Sequence, residues 1–367
     1  MKVSIITILD NTNFGTYLQA LATAKAIESI GHTAEVIRYI RPIMTAKGHS
    51  KMLFRERGFL RWLSRRRFIP VMLKLRDLDY RYIGKFINVT QEYCSFEQLK
   101  NNPPIADVYL TGSDQVWNSI YNRGIDHSYY LEFAPNSAKR ISYAASIGME
   151  KFADSEAAQI HTLLSKYSAI TVREKSAQRI LKDLGIRSEV VLDPTLLLDK
   201  EQWSDIAVQY TMSLDEPYIL VYSVETKAQN MLIEQYAKEI ASKYRYKIYQ
   251  VSYSKGRGFA WADKAFTEAT PDIFLNLMEN ASFVIASSFH GTAFAINFNK
   301  PFLSIAANRF NSRVENLLDI THLKDRLITD SRSCIEDIKD IDYQAVNSLL
   351  KTEREKSLHI LKSMIEK

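Results

Sequence analysis

Cysteine is scarce in this chain, whose 367 residues include only Cys94 and Cys334, far apart and without histidines nearby in ligand spacing. This scarcity excludes a disulfide framework and gives no sign of a structural zinc site. Long apolar runs are also missing, since runs such as FVIA at 283–286 fall far short of the roughly 20 residues that a membrane-spanning helix needs. Met1 leads directly into a strand-like segment without a signal-peptide pattern. We therefore expect a cytoplasmic protein.

The pattern that is present alternates strand-like with helix-like segments. The composition is that of an ordinary globular protein, 46% hydrophobic and 25% charged, and the length suits two domains. Strand patterns of the first series lie at 3–9, 34–40, 106–112, 139–148, 169–174 and 188–194, and those of the second at 217–224, 246–253, 282–288 and 300–306. Helical patterns separate many of them, at 17–31, 156–167, 229–244, 270–281 and 290–299. Such alternation predicts an α/β protein with parallel sheets.

The segment 198–217 has no comparable strand pattern and ends at Pro217, so we place the connection between two domains there. The predicted domains are 1–198 and 217–335, followed by a helical segment at 336–367. We expect the two α/β domains to face one another across a cleft.

The positive charge of the chain is concentrated in one segment. Residues 51–85 contain eleven Lys or Arg against three acids, a net charge of +8, which leaves −2 for the rest of a chain whose total is +6. Apolar residues are interleaved with the basic ones, a composition that suits a helix lying on anionic lipid headgroups. The alternative is a solvated helical insertion at about 48–90 that packs on its own domain. We do not expect nucleic-acid binding, because no recognised binding motif accompanies the charge.

The most informative local unit is a buried strand that runs into SSFHGT. Its small polar pair is Ser287 and Ser288, followed by His290, Gly291 and Thr292 at the start of a helix. A helix amino terminus favours phosphate or carboxylate, and glycine admits close approach of the backbone. We expect His290 to lie beside the bound anion. A structural hydrogen-bonding histidine is the alternative.

Arginines supply further candidates for anion binding. Arg173 closes the strand pattern AITVRE, and its guanidinium offers two parallel donors to a carboxylate or phosphate. An ion pair with Glu174 or another acid is the alternative role. Arg309 and Arg313 follow the strand pattern at 300–306 and are also candidates for the anion, although exposed arginines are common.

The first loop after a strand contains Asn13, Phe14, Gly15 and Thr16, at an edge where ligands of α/β sheets gather. It lacks the G-x-G-x-x-G and Walker lysine patterns, which argues against a standard dinucleotide or P-loop site. The loop either binds a ligand or only caps the helix that follows.

A second loop, 112–118, concentrates polar and aromatic residues after a buried strand. Asp114 is a candidate base or orienter of a sugar hydroxyl, and Trp117 a candidate platform for a sugar ring. Gln115 and Asn118 belong to the same candidate set. Capping of the following helix is the alternative. Asp193 and Pro194 close a later strand pattern and are interpreted as a turn.

Taken in order, these segments resemble the polysaccharide pyruvyl transferase family. The resemblance covers most of residues 1–326 and lies in NFGTYLQAL, DVYLTGSDQVWN, KRISYAASIG, ITVREKSAQRIL, VVLDPTLLL, PYILVYSV, SSFHGTAFAINFNKPF and NSRVENLL. No single motif is decisive, but the ordered set is specific. The resemblance implies two Rossmann-like domains similar to the two-domain (GT-B type) glycosyltransferases.

The resemblance also implies transfer of pyruvate from phosphoenolpyruvate to two hydroxyls of a sugar, giving a cyclic ketal and phosphate. It implies that His290 acts near the donor and that Arg173 contacts the donor. Some family members have an arginine where this chain has Ser288, and we expect Arg309 or Arg313 to supply that charge. The acceptor implied is a cell-surface polysaccharide or its lipid-linked precursor, at the inner face of the membrane if residues 51–85 dock there.

Two other functions stay open on the sequence. One is a glycosyltransferase that uses a nucleotide-sugar on the same architecture, and the other is a non-catalytic scaffold that binds glycan or membrane. We expect no cofactor besides phosphoenolpyruvate as co-substrate, and no obligatory metal, because no cluster of metal ligands is evident.

Overall fold

The computed structural model describes residues 1–9, 13–207, 214, 216–224, 227–252, 258–306, 311–330 and 339–367. The chain divides into two compact units, of which the first comprises Met1–Pro194 with Ser357–Lys367 and the second Thr195–Lys356. Each unit contains one parallel sheet with helices, as the alternation of segments predicts.

The first unit contains a seven-stranded sheet in the order β3-β2-β1-β4-β5-β6-β7. Its strands are β1 (Lys2–Ile6), β2 (Thr33–Tyr39), β3 (Asn88–Tyr93), β4 (Val108–Thr111), β5 (Lys139–Ala145), β6 (Ala169–Val172) and β7 (Glu189–Val190). Its helices are α1 (Phe14–Ser29), α2 (Ala46–Arg65), α3 (Ile69–Ile83), α4 (Phe96–Asn101), α5 (Ser119–Asn122), α6 (Asp154–Leu164) and α7 (Lys175–Asp183). All of the strand pairs are parallel, which is the Rossmann arrangement.

The second unit repeats this arrangement with six strands in the order β10-β9-β8-β11-β12-β13. The strands are β8 (Tyr218–Tyr222), β9 (Lys247–Ser252), β10 (Lys264–Thr267), β11 (Phe283–Ala286), β12 (Phe302–Ile305) and β13 (Leu327–Ile328). The helices are α8 (Lys200–Ala207), α9 (Lys227–Tyr244), α10 (Pro271–Asn280), α11 (Phe289–Asn297), α12 (Ser312–Ile320) and α13 (Tyr343–Glu366), of which α13 ends in the first unit. Short 3₁₀ turns occur at Pro42–Met44, Arg66–Phe68, Pro194–Leu196 and Lys324–Arg326.

The centres of both sheets are formed by apolar segments. Strands such as β8 (YILVY) and β11 (FVIA) are buried at every position, as expected of parallel strands that are covered on both faces. Helices α1 and α11 are buried nearly all round. α1 is the first helix after the central strand β1, and α11 follows the central strand β11 after only two residues.

The edge strands β3, β10 and β13 have no counterpart among the sequence predictions. β3 (NVTQEY) is polar and mostly exposed, and β10 is also largely outside the core, so neither has the apolar pattern of a central strand. β13 has only two residues. The predicted strand 139–148 ends early, at Ala145, because the pairing with β6 shifts register and Ala144 takes a positive φ of 51°.

The boundary between the units falls before the segment 198–217. This segment contains α8, in which the Trp203 indole donates to the carbonyl of Thr195 at 2.9 Å and packs edge-on against Phe294. Residues 208–213 and 215 lie outside the described residues. The buried tryptophan explains why the start of this segment belongs to the second unit.

The basic segment forms a helical hairpin of α2 and α3 in the first unit. α2 is broken at Gly58, whose φ of 74° is not helical. Leu53, Ile69 and Leu75 are buried, so part of the apolar face packs on its own domain. Residues 58–68, in contrast, are almost entirely exposed.

Candidate functional site

The strand order of the second sheet reverses between β8 and β11. These strands are neighbours, and the chain leaves them towards opposite edges, through β9 and β10 on one side and β12 and β13 on the other. Ligands of open α/β sheets bind beyond the carboxyl ends of such a pair. Here those ends are followed by Ser223 and Val224 after β8 and by residues 287–290 after β11. The predicted SSFHGT segment therefore lies at the switch point of the second unit.

Ser288 caps the helix that starts there. Its side-chain oxygen accepts the Gly291 amide hydrogen at 3.0 Å, and its backbone is extended, as an N-cap residue requires. Ser287 links the two central strand ends, because its hydroxyl lies 3.3 Å from that of Ser223 and accepts from the Val224 amide at 3.2 Å. Both serines are buried and hold the backbone of the loop in place.

Gly291 allows α11 to begin in direct contact with the sheet. A Cβ at this position would lie 2.8 Å from the Cβ of Ala286 and 3.0 Å from Cδ1 of Tyr222, which are register partners in β11 and β8. No other residue fits there without movement of the helix. Thr292 fixes the helix from its other side, since its hydroxyl donates to the Ser288 carbonyl and lies 2.9 Å from the Ser304 hydroxyl of β12.

His290 lies in the first turn of α11, only 4% exposed, with its ring edge-on to Phe289 at 5.2 Å between centroids. The amino terminus of a helix carries positive potential, and it attracts carboxylate or phosphate. This position suits a histidine that acts on an anionic ligand. Of the two arginines predicted to assist it, Arg313 is half-buried in the first turn of α12, and Arg309 lies outside the described residues.

The switch point of the first sheet lies between β1 and β4. Thr7, just after β1, donates its hydroxyl hydrogen to the Ser113 carbonyl at 2.7 Å, and Gln19 of α1 donates to the Thr7 hydroxyl at 2.8 Å. Gly112 also lies close to Thr7, since a Cβ there would be 3.2 Å from that of Thr7. Gln19 also donates to the Thr16 carbonyl at 2.9 Å, so the two loops that the sequence singled out, 13–16 and 112–118, are joined through buried polar contacts.

Asp114 begins the second of these loops in a strained conformation. Its φ is 76°, in the left-handed region that few non-glycine residues adopt, and its side chain is mostly buried. The Asp114 carbonyl accepts the amide hydrogens of Val116 and Ser146, and its Oδ1 accepts that of Gln115 at 2.9 Å. Strain held by the surrounding structure in this way is frequent at functional sites.

Arg173 lies at the carboxyl end of β6 and contacts Asp114 directly. Its guanidinium is 2.8 Å from Oδ2 of Asp193, 3.6 Å from Oδ1 of Asp114 and 3.7 Å from Oε2 of Glu174, and it is 1% exposed. Burial lowers the pKa of Arg173, but the carboxylates outweigh burial and the pKa lies above its ordinary value. The ion-pair alternative of the sequence analysis is thus observed, and Asp114 lies within ion-pair distance of Arg173.

This cluster contains residues that the sequence reasoning undervalued. The Ser113 hydroxyl donates to Asp193 at 2.7 Å, and Glu174 accepts from the hydroxyl of Ser146 and the amide of Ile147. The sequence predicts a turn at Asp193, yet its carboxylate is fully buried against Arg173. The available signal was position, because Glu174 and Asp193 each follow a strand at the same sheet edge as Asp114.

The remaining residues of the loop 112–118 have structural contacts. Trp117 is 1% exposed, stacks on Tyr130 and donates its indole hydrogen to the Tyr129 carbonyl at 3.2 Å, so its ring offers no face to a sugar. Asn118 is the N-cap of α5, and its amide also donates to Gln115 at 2.7 Å. Asn118, and not Asp114, therefore caps α5.

The loop 13–16 also has a capping role. Asn13 is the N-cap of α1, and its side chain accepts from the Gly15 amide at 2.9 Å. Phe14 and Thr16 are fully buried. Residues 10–12, which precede them, lie outside the described residues. Of the predicted acceptor-binding residues, Asn13 and Gln115 are the two that are only half-buried.

Two arrangements are absent from the part of the chain that the structure describes. Among the described residues, no group of three His, Cys, Asp or Glu side chains is arranged to hold a metal ion. Likewise, none of the described helices is both long and apolar enough to cross a bilayer.

Comparison with known proteins places these features in a family. The sequence matches the family model of polysaccharide pyruvyl transferases over residues 13–309. The structure is similar to UDP-GlcNAc 2-epimerase from Methanocaldococcus jannaschii, with a TM-score of 0.53 and 13% identity over 96% of this chain and 92% of that one. It is also similar to UDP-N-acetylglucosamine 2-epimerase from Rickettsia bellii, with a TM-score of 0.51 and 12% identity over 100% of this chain and 97% of that one.

These likenesses confirm the predicted fold class, the two-domain Rossmann-like (GT-B type) fold. No curated protein matches the chain in sequence. The family match covers well over half of the chain. It includes all of the predicted site residues from Asn13 to Arg309. The chain therefore belongs to the polysaccharide pyruvyl transferase family.

Proposed function

We propose that this protein transfers the pyruvyl group of phosphoenolpyruvate to two hydroxyls of one sugar in a cell-surface polysaccharide or its lipid-linked precursor. The observation that carries the proposal is the family match over residues 13–309, which includes the capped start of α11 and His290. The product is a cyclic pyruvate ketal, and phosphate is released. We expect the reaction to take place in the cytoplasm.

We assign donor binding to the switch point of the second unit. Phosphoenolpyruvate carries a carboxylate and a phosphate, and both suit the amino terminus of a helix. Ser287, Ser288, Gly291 and Thr292 fix the position of that terminus. Because Ser288 is uncharged, the positive charge that an arginine gives some family members at this position must come from elsewhere. Arg309 and Arg313 are our candidates.

The reaction needs one proton on carbon and loses one from each of two hydroxyls. Protonation of the methylene carbon of phosphoenolpyruvate makes its central carbon electrophilic, and the first sugar hydroxyl adds there. The second hydroxyl then displaces the phosphate, which leaves as hydrogen phosphate. One hydroxyl proton replaces the proton delivered to carbon and the other leaves on phosphate, so the step balances without an oxidant or a metal. His290 is our proposed acid or phosphate partner.

On the acceptor side we assign Asp114 as the base or orienter of a sugar hydroxyl. Its Oδ1 is engaged by Arg173 and by the Gln115 amide, which leaves Oδ2 as the oxygen to receive the hydroxyl. The family resemblance implies a donor contact for Arg173, but its ion pairs with Asp193 and Asp114 favour a positioning role for it. Asn13 and Gln115 are the half-buried neighbours best able to contact the acceptor.

The test is product analysis in deuterium oxide, with phosphoenolpyruvate labelled at its methylene carbon and a panel of glycans. We expect one deuterium in the methyl group of the ketal and one phosphate released per ketal. His290→Gln should lower kcat by about 10²–10⁴-fold, whereas the exposed His359→Gln should not. Transfer of a sugar from a nucleotide-sugar to the same glycans, without consumption of phosphoenolpyruvate, would overturn the proposal.

A further inference from the structure

The eleven basic residues of 51–85 do not all serve the same purpose. Arg76 is buried and donates to the Met44 carbonyl at 3.0 Å, and Arg81 pairs with Asp77 one turn away at 2.7 Å. These two contribute to the packing and surface of α3. The arginines that remain exposed are concentrated where α2 meets α3, in residues 58–68, which we call the tip.

The tip has the sequence GFLRWLSRRRF, with four arginines, five large apolar residues and no acid. Phe59 is 57% exposed and Leu60 is 79% exposed, and Leu63 and Phe68 are exposed as well. Exposed apolar residues usually occur singly on a protein surface. A cluster of them interleaved with arginine has the composition of a segment that lies in a membrane interface.

Trp62 organises the tip. Its ring contacts those of Phe54 and Phe59, at 6.0 and 5.7 Å between centroids, and the Arg66 guanidinium lies 4.8 Å above it. Its indole nitrogen donates to the Ser50 hydroxyl at 2.9 Å, which ties the tip to the first half of α2. Aromatic rings with a polar atom at one end favour the boundary between lipid and water.

A cavity with three cationic residues in its lining lies beside the hydrogen bond from Trp62 to Ser50. Its volume is about 310 Å³, and it is lined by Pro42, Ile43, Gly48, Lys51, Met52, Arg55 and Arg123. Three of these residues are cationic and none is acidic. Gly48 lets α2 reach the wall of the cavity, because a Cβ there would collide with the Pro42 carbonyl oxygen. The surface that lines the cavity is mainly apolar, and its three cations are the groups that would hold a phosphate.

We propose that the tip inserts into the interface of an anionic lipid bilayer and that the cavity receives the phosphate of one of its lipids. The charge complementarity selects this occupant, since four arginines attract an anionic surface and the apolar side chains gain from entry into the acyl boundary. The inference concerns the hairpin alone. It is tested independently of pyruvyl transfer, because binding to vesicles is measured without donor or acceptor.

The experiment measures binding of the full chain to vesicles of equal parts phosphatidylcholine and phosphatidylglycerol, and to vesicles of phosphatidylcholine alone. We expect binding to the anionic vesicles only. The triple change Arg65→Gln, Arg66→Gln and Arg67→Gln should weaken it by roughly 100-fold, since each basic residue near the surface contributes roughly fivefold. The charge-matched control replaces the exposed Lys151, Lys182 and Arg187 of the same unit by Gln and should retain binding.

Two further variants separate insertion from adsorption and test the cavity. Leu60→Ser with Leu63→Ser keeps the charge and should weaken binding at least tenfold, because the apolar gain is lost. Lys51→Gln with Arg55→Gln should also weaken it roughly tenfold or more. Lipids with brominated chains should quench the fluorescence of Trp62, and Trp62→Phe should remove that quenching.

Equal binding of the parent and the triple arginine variant would overturn the proposal, as would an unchanged affinity of the leucine variant. An unchanged affinity of the Lys51 and Arg55 variant would overturn the lipid-phosphate site in the cavity. Inorganic phosphate that competes fully with vesicles would assign the cavity to a soluble phosphate instead. Binding to DNA that depends on the arginines but not on Leu60 and Leu63, without binding to vesicles, would assign the tip to nucleic acid.

Discussion

Arg173→Met should destabilise the first unit by about 3–5 kcal/mol, the cost of removing one partner from a buried ion pair. The guanidinium is buried among three carboxylates, and its contact with Asp193 at 2.8 Å is shorter than those with Asp114 and Glu174, at 3.6 and 3.7 Å. Methionine keeps most of the volume but leaves these charges without a counter-charge. Asp193, whose side chain is fully buried, should dominate the loss.

Hydrogen exchange measured by mass spectrometry is the suitable assay, because it reports the two units separately. Exchange in β5 and β6 should accelerate in Arg173→Met, while α9 and β8 of the second unit should stay protected. Asp193→Asn in the Arg173→Met background should recover at least about 1 kcal/mol, because it removes the charge that lost its partner. The control is Arg187→Met, an exposed position in the same unit.

A loss below about 1 kcal/mol, the level of an exposed pair, would refute the reasoning. So would a double variant that is less stable than Arg173→Met, since the uncompensated charge would then not be the cause. In either case the buried ion pairs of Arg173 would not be what stabilises this part of the first unit.

Three further predictions follow from other contacts. Gly291→Ala should cost about 1–3 kcal/mol in urea unfolding and weaken binding of phosphoenolpyruvate, because the new Cβ would push α11 off Ala286; unchanged values would contradict the close packing. Ser288→Ala should cost about 1 kcal/mol in the same measurement through loss of the cap, whereas Ser288→Asn should retain most of the stability. Burial raises the pKa of Tyr143 above its ordinary value of 10.0, so the stability it contributes is present below pH 10.0 and is lost as the pH rises further. Tyr143→Phe should therefore shift the midpoint of alkaline unfolding to higher pH, and no shift would contradict the assignment.

The elements that the sequence predicts are those with a clear local pattern of apolar residues. Central strands such as β8 and β11 are continuous apolar runs, and α11 is mainly apolar, so the type and order of these elements can be predicted without tertiary information. The edge strand β3 is polar, and its pairing with β2 is set by the sheet and not by its own sequence. Edge strands of this kind become visible only when the neighbouring strand is placed.

The candidate site shows the same division. The position of His290 at a helix start follows from SSFHGT itself, whereas the contact of Arg173 with Asp114 joins two strands across the sheet and has no local signal. The burial of Trp117 has no local signal either. Its polar neighbours suggest an exposed loop, but the left-handed turn at Asp114 leads the chain back into the core, where Tyr130 packs on the indole.

We propose that phosphoenolpyruvate is the donor and that it binds at the start of α11. The decisive measurement is calorimetric titration of the protein with phosphoenolpyruvate and with a panel of nucleotide-sugars, repeated on His290→Ala and on His359→Ala as an exposed control. We expect binding of phosphoenolpyruvate that weakens in His290→Ala and not in His359→Ala. Binding of nucleotide-sugars with none of phosphoenolpyruvate, or binding of phosphoenolpyruvate that both variants leave unchanged, would contradict it.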